Sequence, residues 1–234
     1  MDWEGKRIDL HTHTTISDGV LLPSELLRRA TVLGYGAVAI TDHADSSNLE
    51  EVLRALLRLA VEQGGDYPLV FLPGVELTHV APPSIPRLAH RARELGAAVV
   101  VVHGETPAEP VAPGTNRAAV TCPNVDVLAH PGLISIEEAR LAAENGVYLE
   151  ITSRQGHCLG NGHVAALARA TGAKIIVNTD THRPSDMMSQ NQIRTVAEGA
   201  GLSSEEITAA LVTNPSELIV SACARLNETR VKIK

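Results

Sequence analysis

Histidines and acids recur in short clusters along the chain, and these are the residue types that ligate divalent cations. Asp9-Leu10-His11-Thr12-His13 is followed closely by Ser17-Asp18-Gly19. Then come Thr41-Asp42-His43, Gly74-Val75-Glu76, Val102-His103-Gly104-Glu105, Ala129-His130-Pro131-Gly132, Thr152-Ser153-Arg154 and Asn178-Thr179-Asp180-Thr181-His182. In an extended chain, residues two apart point the same way, so His11 and His13 face one side together. From His13 the steps are 30 residues to His43, 33 more to Glu76, 27 to His103, 27 to His130 and 50 to Asp180. A step of about 30 residues is one strand–helix–strand unit. Each unit therefore delivers an imidazole, an acid or an arginine to the same end of a sheet. Ordinary strand–loop junctions carry Gly, Asn, Ser and Pro; imidazoles and carboxylates converging at every junction are costly unless cations hold them.

The elements that must position these residues are legible between the clusters. Apolar runs at 7–10, 37–41, 69–75, 98–102, 125–129, 147–151 and 174–178 are rich in Val and Ile and do not alternate cleanly. That pattern predicts parallel strands buried on both faces. Helical periodicity is predicted over 21–33, 50–63, 84–95, 135–145 and 162–171, with Pro23 in a first turn and Gly34, Gly96, Gly146 and Gly172 just past the ends. Ser135-Ile136-Glu137-Glu138 reads as a capping box. Residues 190–226 read as two or three further helices packing on the rest, with Asn214 as an N-cap and Pro215 at a first helical position. Residues 105–121 show no pattern and read as a loop, a lid over a pocket. Seven strand–helix units without a linker predict one α/β domain over 1–234, a parallel barrel with its site at the carboxyl ends of the strands.

Composition narrows the function. Hydrophobic residues make up 44% and charged ones 20%, which excludes wholesale disorder. Aromatics are 2%, too few for a base-stacking platform. The net charge of −7 weighs against a broad footprint on nucleic acid or anionic membrane. No uninterrupted apolar run approaches ~18 residues, so no membrane span is expected. The opening Met1-Asp2-Trp3-Glu4-Gly5-Lys6 does not resemble a signal peptide. Cys122, Cys158 and Cys223 are odd in number and far apart, which fits a reducing cytoplasm. His90 and His163 fall on predicted helices as structural or surface residues, whereas His79 and His157 fall in loops near the site, as candidate substrate contacts.

The ordered set His11-Thr12-His13, Ser17-Asp18-Gly19, Thr41-Asp42-His43, Gly74-Val75-Glu76, Val102-His103, Ala129-His130-Pro131 and Thr179-Asp180-Thr181-His182 resembles the motifs of the PHP (polymerase and histidinol phosphatase) family, nearest its histidinol-phosphatase-like branch. The resemblance runs from residue 7 to about 184. It implies a distorted (β/α)7 TIM-like barrel, two or three divalent ions (Zn, Mn or Fe) and hydrolysis of phosphate esters. Carried over residue by residue, one ion takes His11, His13, Glu76 and Asp180. A second takes Glu76, His103 and His130, with Glu76 bridging. A third takes Asp18, His43 and His182. The oxygen ligand of Asp18 stands where many relatives have His, and favours Mn or Mg at that position.

The chemistry of such a set is coherent. Cations that share Glu76 lower the pKa of a bridging water toward ~7 and yield hydroxide at neutral pH. Three divalent ions, three carboxylates and one hydroxide leave a charge of about +2, which matches a phosphate monoester dianion. Arg154 is a bidentate phosphate clamp or a surface salt bridge; Arg183 and His157 are further phosphate contacts. Asp9 shares a face with His11 and is placed to orient an imidazole, and Asp42 and Glu105 adjoin ligands and are candidates to orient neighbours or accept protons.

The expected partner is a small phosphorylated metabolite. A family exonuclease acting on nucleotides is the alternative, against which the acidic balance weighs. Gly74-Val75-Glu76-Leu77-Thr78-His79-Val80 also resembles a ribonuclease P protein subunit, which would be an RNA-binding scaffold with a degraded metal site; the intact ligand order argues against it. An amidohydrolase also opens with His-x-His, but usually places Lys where His103 stands.

Overall fold

The structure, a computed structural model, describes residues 5–233, with side chains described as far as residue 226. In chain order the elements are β1 (Arg7–Asp9), α1 (Pro23–Val32), β2 (Tyr35–Ile40), β3 (His43–Ala44), α2 (Leu49–Glu62), β4 (Val70–Leu77), α3 (Ile85–Leu95), β5 (Val99–His103), α4 (Thr115–Val120), β6 (Val127–Ala129), α5 (Ile136–Asn145), β7 (Tyr148–Thr152), α6 (Asn161–Thr171), β8 (Ile175–Asn178), α7 (Gln190–Gly199), α8 (Ser204–Thr208) and α9 (Asn214–Ile233).

Every strand pairing is parallel, in the order β1-β2-β4-β5-β6-β7-β8, and the two-residue β3 continues along β4 beyond β2. Just past their ends, β1 and β8 meet: His13 N donates to Thr181 O at 2.8 Å and Asp180 N to His11 O at 3.1 Å. The result is a nearly closed, distorted seven-stranded barrel, as the apolar runs predict.

Those runs fail to alternate because both strand faces are buried in different clusters. Val38, Ile40, Val100, Val102, Leu128, Leu149, Ile151 and Val177 pack outward against the helices. Ala37, Ala39, Leu72, Val99, Val101, Val127 and Ile176 point into the barrel. There they meet Leu218, Ile219, Ala222 and Leu226 of α9. The α9 helix thus closes the end where the strands begin: the Arg225 guanidinium donates to Ala98 O at 2.7 Å and pairs with Asp126 at 3.1 Å, both residues lying just before strands. The polar clusters occupy the opposite end.

Two expectations change. The patternless stretch 105–121 contains α4, too short at six residues to show periodicity. Its start is held by Glu105, whose Oε1 accepts from Gly114 N at 3.0 Å and Asn116 N at 2.9 Å. Asn214 does not begin a separate helix. It is helical itself, its Nδ2 donates to Ile175 O at 2.7 Å, and α8 runs into α9 through a wide π-helical turn, Ala209–Thr213. Pro215 has no N–H to donate to the preceding turn, and the helix widens where that bond is missing. The joined run Ser204–Leu226 is long and apolar enough by composition to cross a bilayer, though its interior face packs under the barrel. The Ser135 capping box forms as expected.

Gly104 follows His103 where β5 and β6 approach each other, and a Cβ there would lie 2.3 Å from Ala129 O and 2.9 Å from Pro131 Cα. Both obstacles are backbone. Gly104→Ala should lower unfolding free energy by about 1–3 kcal/mol in denaturant titration; an unchanged midpoint would show that this rim opens freely.

Candidate metal centre

Each donor owes its place to the end of a strand. His11 and His13 follow β1 and are fully buried. The loop after them is folded back by Asp42, whose carboxylate accepts from Thr14 N, Thr14 Oγ1, Ser17 N and Ser17 Oγ at 2.6–3.2 Å. That fold brings Asp18 over the barrel mouth. Gly19 is required there, because a Cβ would meet His13 O at 2.6 Å. His43 lies in β3, level with Glu76 of β4 in parallel register. His103 ends β5, His130 follows β6, and Asp180 and His182 follow β8.

These side chains converge. His11 Nε2 is 3.4 Å from Glu76 Oε1, and His13 Nε2 is 3.2 Å from Asp180 Oδ1. His130 Nε2 is 3.7 Å from both Glu76 Oε1 and Asp180 Oδ2. His43 Nδ1 is 2.7 Å from Glu76 Oε2, while His43 Nε2 and His182 Nε2 lie 3.4 and 3.2 Å from the Asp18 carboxylate. Donor atoms lie within 4.8 Å of one another in five groups: His11/His13/Asp180, His11/Glu76/His130, His13/Asp18/His43/His182, His103/His130/His157 and His79/His103/Glu109. The first falls within one expected ion set, the second joins His11 of that set to His130 through Glu76, and the third adds His13 to the expected Asp18, His43 and His182. The last two do not follow the motif assignment, since they place His103 with His157 or Glu109 rather than with Glu76.

The donors fit divalent cations by an internal test. His11 Nε2, both ring nitrogens of His13, His130 Nδ1, His157 Nδ1, Glu76 Oε1 and Asp180 Oδ1 are buried without a hydrogen-bond partner. Buried polar groups are nearly always satisfied, so a cluster of exceptions calls for a ligand that accepts lone pairs. Two of these residues also carry left-handed backbone, His130 at φ 28° and Asp180 at φ 55°, strain of the kind that collects at functional sites.

Electrostatics agree. Burial, reinforced by facing imidazoles, holds His13 and His130 well below the ordinary histidine value, in the neutral form that ligates metal. Burial opposes charge on Glu76, but His11 and His43 hold its carboxyl well below the usual range. Burial likewise works against charge on His43, yet Glu76 and Asp18 outweigh it and push the imidazole up to about 10. Asp180 is pushed up to about 7, first by burial.

The outer ring of residues differs from expectation. The carboxylate on His11 Nδ1 is Glu150, at 2.8 Å; it also accepts from Asn178 Nδ2 at 2.8 Å and His130 N at 3.1 Å. Asp9 instead pairs with buried Arg7 at 3.1 Å and accepts from Thr179 Oγ1 at 2.6 Å, tying β1 to β8. Asp42 anchors the Asp18 loop and Glu105 caps α4; neither touches a donor imidazole. Glu150 and Glu109 escaped sequence reasoning. Glu150 had one signal, a lone acid in a run buried on both faces; Glu109 had none.

Arg154 stands at the mouth, 3.2 Å from Asp186 and 3.9 Å from Asp180, and lines a cavity of about 250 Å³ with Asp18, His43, His103, Asp180 and His182. Arg183 is exposed and lines an adjoining cavity of about 590 Å³ that Arg154 shares. His157 is buried beside His130, ring centroids 4.3 Å apart.

A family model described as RNase P subunit p30 matches residues 7–227. The chain belongs to that family. It is 48% identical over 215 residues to an uncharacterized protein of Methanocaldococcus jannaschii, covering 91% of this chain and 98% of that one. It is 28% identical to ribonuclease P protein component 3 of Methanosarcina mazei, covering 87% and 85% of the two chains. The fold matches histidinol phosphate phosphatase of Lactococcus lactis, solved with zinc, L-histidinol and phosphate, at a TM-score of 0.59 and 18% identity over 85% of this chain and 95% of that one. The p30 chain is thus a PHP-like barrel with clustered cation donors. The motifs alone point to the phosphatase branch, but that likeness is one of fold, and the family shown across nearly the whole chain is p30.

Replacing Glu150 by Gln should weaken cation affinity on the order of 10–100-fold in a competitive chelator titration, because it releases the His11 ring. Asp9→Asn should leave cation affinity unchanged and lower stability by about 3–5 kcal/mol in denaturant unfolding, because Arg7 loses its buried partner. The reverse pattern would return the orienting role to Asp9.

Proposed function

We propose that this p30-family barrel is a metal-dependent phosphoesterase. The observation that carries the reading is the set of buried, partnerless nitrogens and oxygens on residues clustered at one mouth. The residues fit cations as follows: His11, His13 and Asp180 with Glu76 at the centre, His130 and His103 beyond it, and Asp18, His43 and His182 on the near side. Bound divalent cations supply Lewis acidity and a water activated at neutral pH.

The protein's own groups do the rest. Glu76 sits against His11, His13, His43 and His130 and fixes the spacing between neighbouring donor groups. Glu150 locks the His11 ring. Arg154 faces the donors across the smaller cavity, where its guanidinium binds phosphoryl oxygens bidentately and holds the ester for attack. The larger cavity, with Arg154 and Arg183, receives the group attached to the phosphate. A mouth of about 250 Å³ suits a terminal phosphate, either on a small metabolite or at the end of a nucleotide chain.

Family membership favours a second reading, an RNA-binding subunit. The net charge of −7 weighed against nucleic acid in the sequence, but a relative named as a ribonuclease P component, aligned over most of its length, restores RNA as a proposed partner.

Metal-loaded protein should hydrolyse members of a panel of phosphomonoesters and 5′-phosphorylated oligoribonucleotides. Glu76→Ala should abolish both turnover and the paired cations. Arg154→Ala should retain the cations and weaken inorganic phosphate inhibition about 10–100-fold. Salt-dependent RNA binding by both wild type and Glu76→Ala, with no hydrolysis of any ester, would select the RNA-binding reading instead.

A further inference from the structure

His157 lies outside every motif of the PHP resemblance, yet it is buried among the donors. It opens the short 3-10 turn His157–Gly160 that follows β7, and Gly156 before it, at φ 86°, turns the chain inward. Its ring centroid is 4.3 Å from that of His130 and 5.7 Å from that of His103. One ring nitrogen from each of the three lies within 4.8 Å of the others. His103, His130 and His157 are 3%, 2% and 7% exposed, so solvent does little for their nitrogens. Nδ1 of His130 and Nδ1 of His157 have no hydrogen-bond partner.

Three packed imidazoles repel as cations, and as neutral rings two of them keep a buried nitrogen without a hydrogen-bond partner. A shared divalent cation would remove the repulsion and take a lone pair from each ring. We propose that His157 is a ligand of a divalent cation held jointly with His103 and His130. This rests on the reading that the mouth binds cations, and it gives one site an all-nitrogen inner set. Imidazole nitrogen suits zinc, iron(II) or cobalt(II) rather than magnesium, in contrast to the Asp18 side of the mouth. Glu109 covers the outer edge, 3.3 Å from His103 Nε2 and 3.4 Å from His157 Nε2. Its carboxylate is 39% exposed, so the outer edge of such a site would face the cavity through which a substrate oxygen enters. His157 then acts on phosphate through the cation rather than by touching it.

The test counts cations. Chelator-stripped wild type, His157→Ala, His157→Gln and Glu109→Gln are titrated with zinc(II) and cobalt(II), and bound metal is measured by elemental mass spectrometry after gel filtration. Glutamine keeps a polar side chain of similar reach and guards against loss of fold, which is followed by the melting curve of the stripped protein. Both His157 variants should bind one equivalent fewer than wild type, with the remaining equivalents unchanged, and Glu109→Gln should keep the full complement. Full wild-type stoichiometry and affinity in the His157 variants would overturn the proposal and leave His157 as a latch for Glu109. Loss of the equivalent in Glu109→Gln but not in His157→Gln would also overturn it. A wild type that binds no cation would overturn the phosphoesterase reading as well.

Discussion

A fully buried carboxylate facing four imidazoles, that of Glu76, is the constraint around which the rest of the mouth is arranged. A carboxylate so far from water carries a desolvation penalty of several kcal/mol unless opposite charge meets it closely. Protein groups alone meet it partly: His11 and His43 approach Glu76, but Oε1 still lacks a hydrogen bond. The same deficit appears on Asp180 and on both nitrogens of His13. Where ligands are short of partners in the folded chain, the free energy of cation binding becomes part of the free energy of folding. The mouth is therefore built to be completed.

The barrel separates this charged assembly from its apolar filling along one axis. Side chains at the amino ends of the strands pack on α9, which supplies Leu218, Ile219, Ala222 and Leu226 as a plug. Side chains at the carboxyl ends are polar and buried. The two halves meet within a few residues, as in β1, where Ile8 and Leu10 join the interior cluster and His11 follows at once. Anchors at the seam hold the register: Asp9 clasps Thr179 across the β1–β8 closure, and Asn178 donates both to Glu150 and, through its Oδ1, accepts from Leu10 N at 2.9 Å. A barrel closed by one short bridge needs such side-chain ties, because β1 offers only three strand residues.

Much of this was legible in the sequence because its causes are local or periodic. Doubly buried strands read as unbroken Val and Ile runs, helices as stripes ended by glycine, and the donors as imidazoles and acids recurring at the length of a strand–helix unit. What escaped depends on geometry across strands. Asp9 and Glu150 are both acids near the right depth, and only the stagger of the closed sheet decides that Glu150 reaches the His11 ring. His157 and Glu109 come from connections whose paths no periodicity dictates: His157 reads only as a loop residue near the site, not as one buried against His130, and Glu109 does not read at all. The helix α4 was too short to register, and the junction at Asn214 misled because a proline after asparagine marks a helix start unless a widened turn absorbs it. The motifs report the barrel and its donors, and they leave the branch open for a related reason: the features that separate branches lie outside them.

An acidic chain and a family named for a ribonucleoprotein are compatible at the level of local charge. Long-range potential follows the net charge of −7 and disfavours a distant polyanion. At the mouth, bound divalent cations and Arg154 would offset the clustered carboxylates, and within a Debye length of about 8–10 Å that local balance governs what enters. A phosphate is drawn to such a centre whether it belongs to a metabolite or ends an RNA. The two readings part at the donors: phosphoester chemistry needs the buried, partnerless atoms of Glu76, Asp180 and His13, whereas an RNA-docking surface does not.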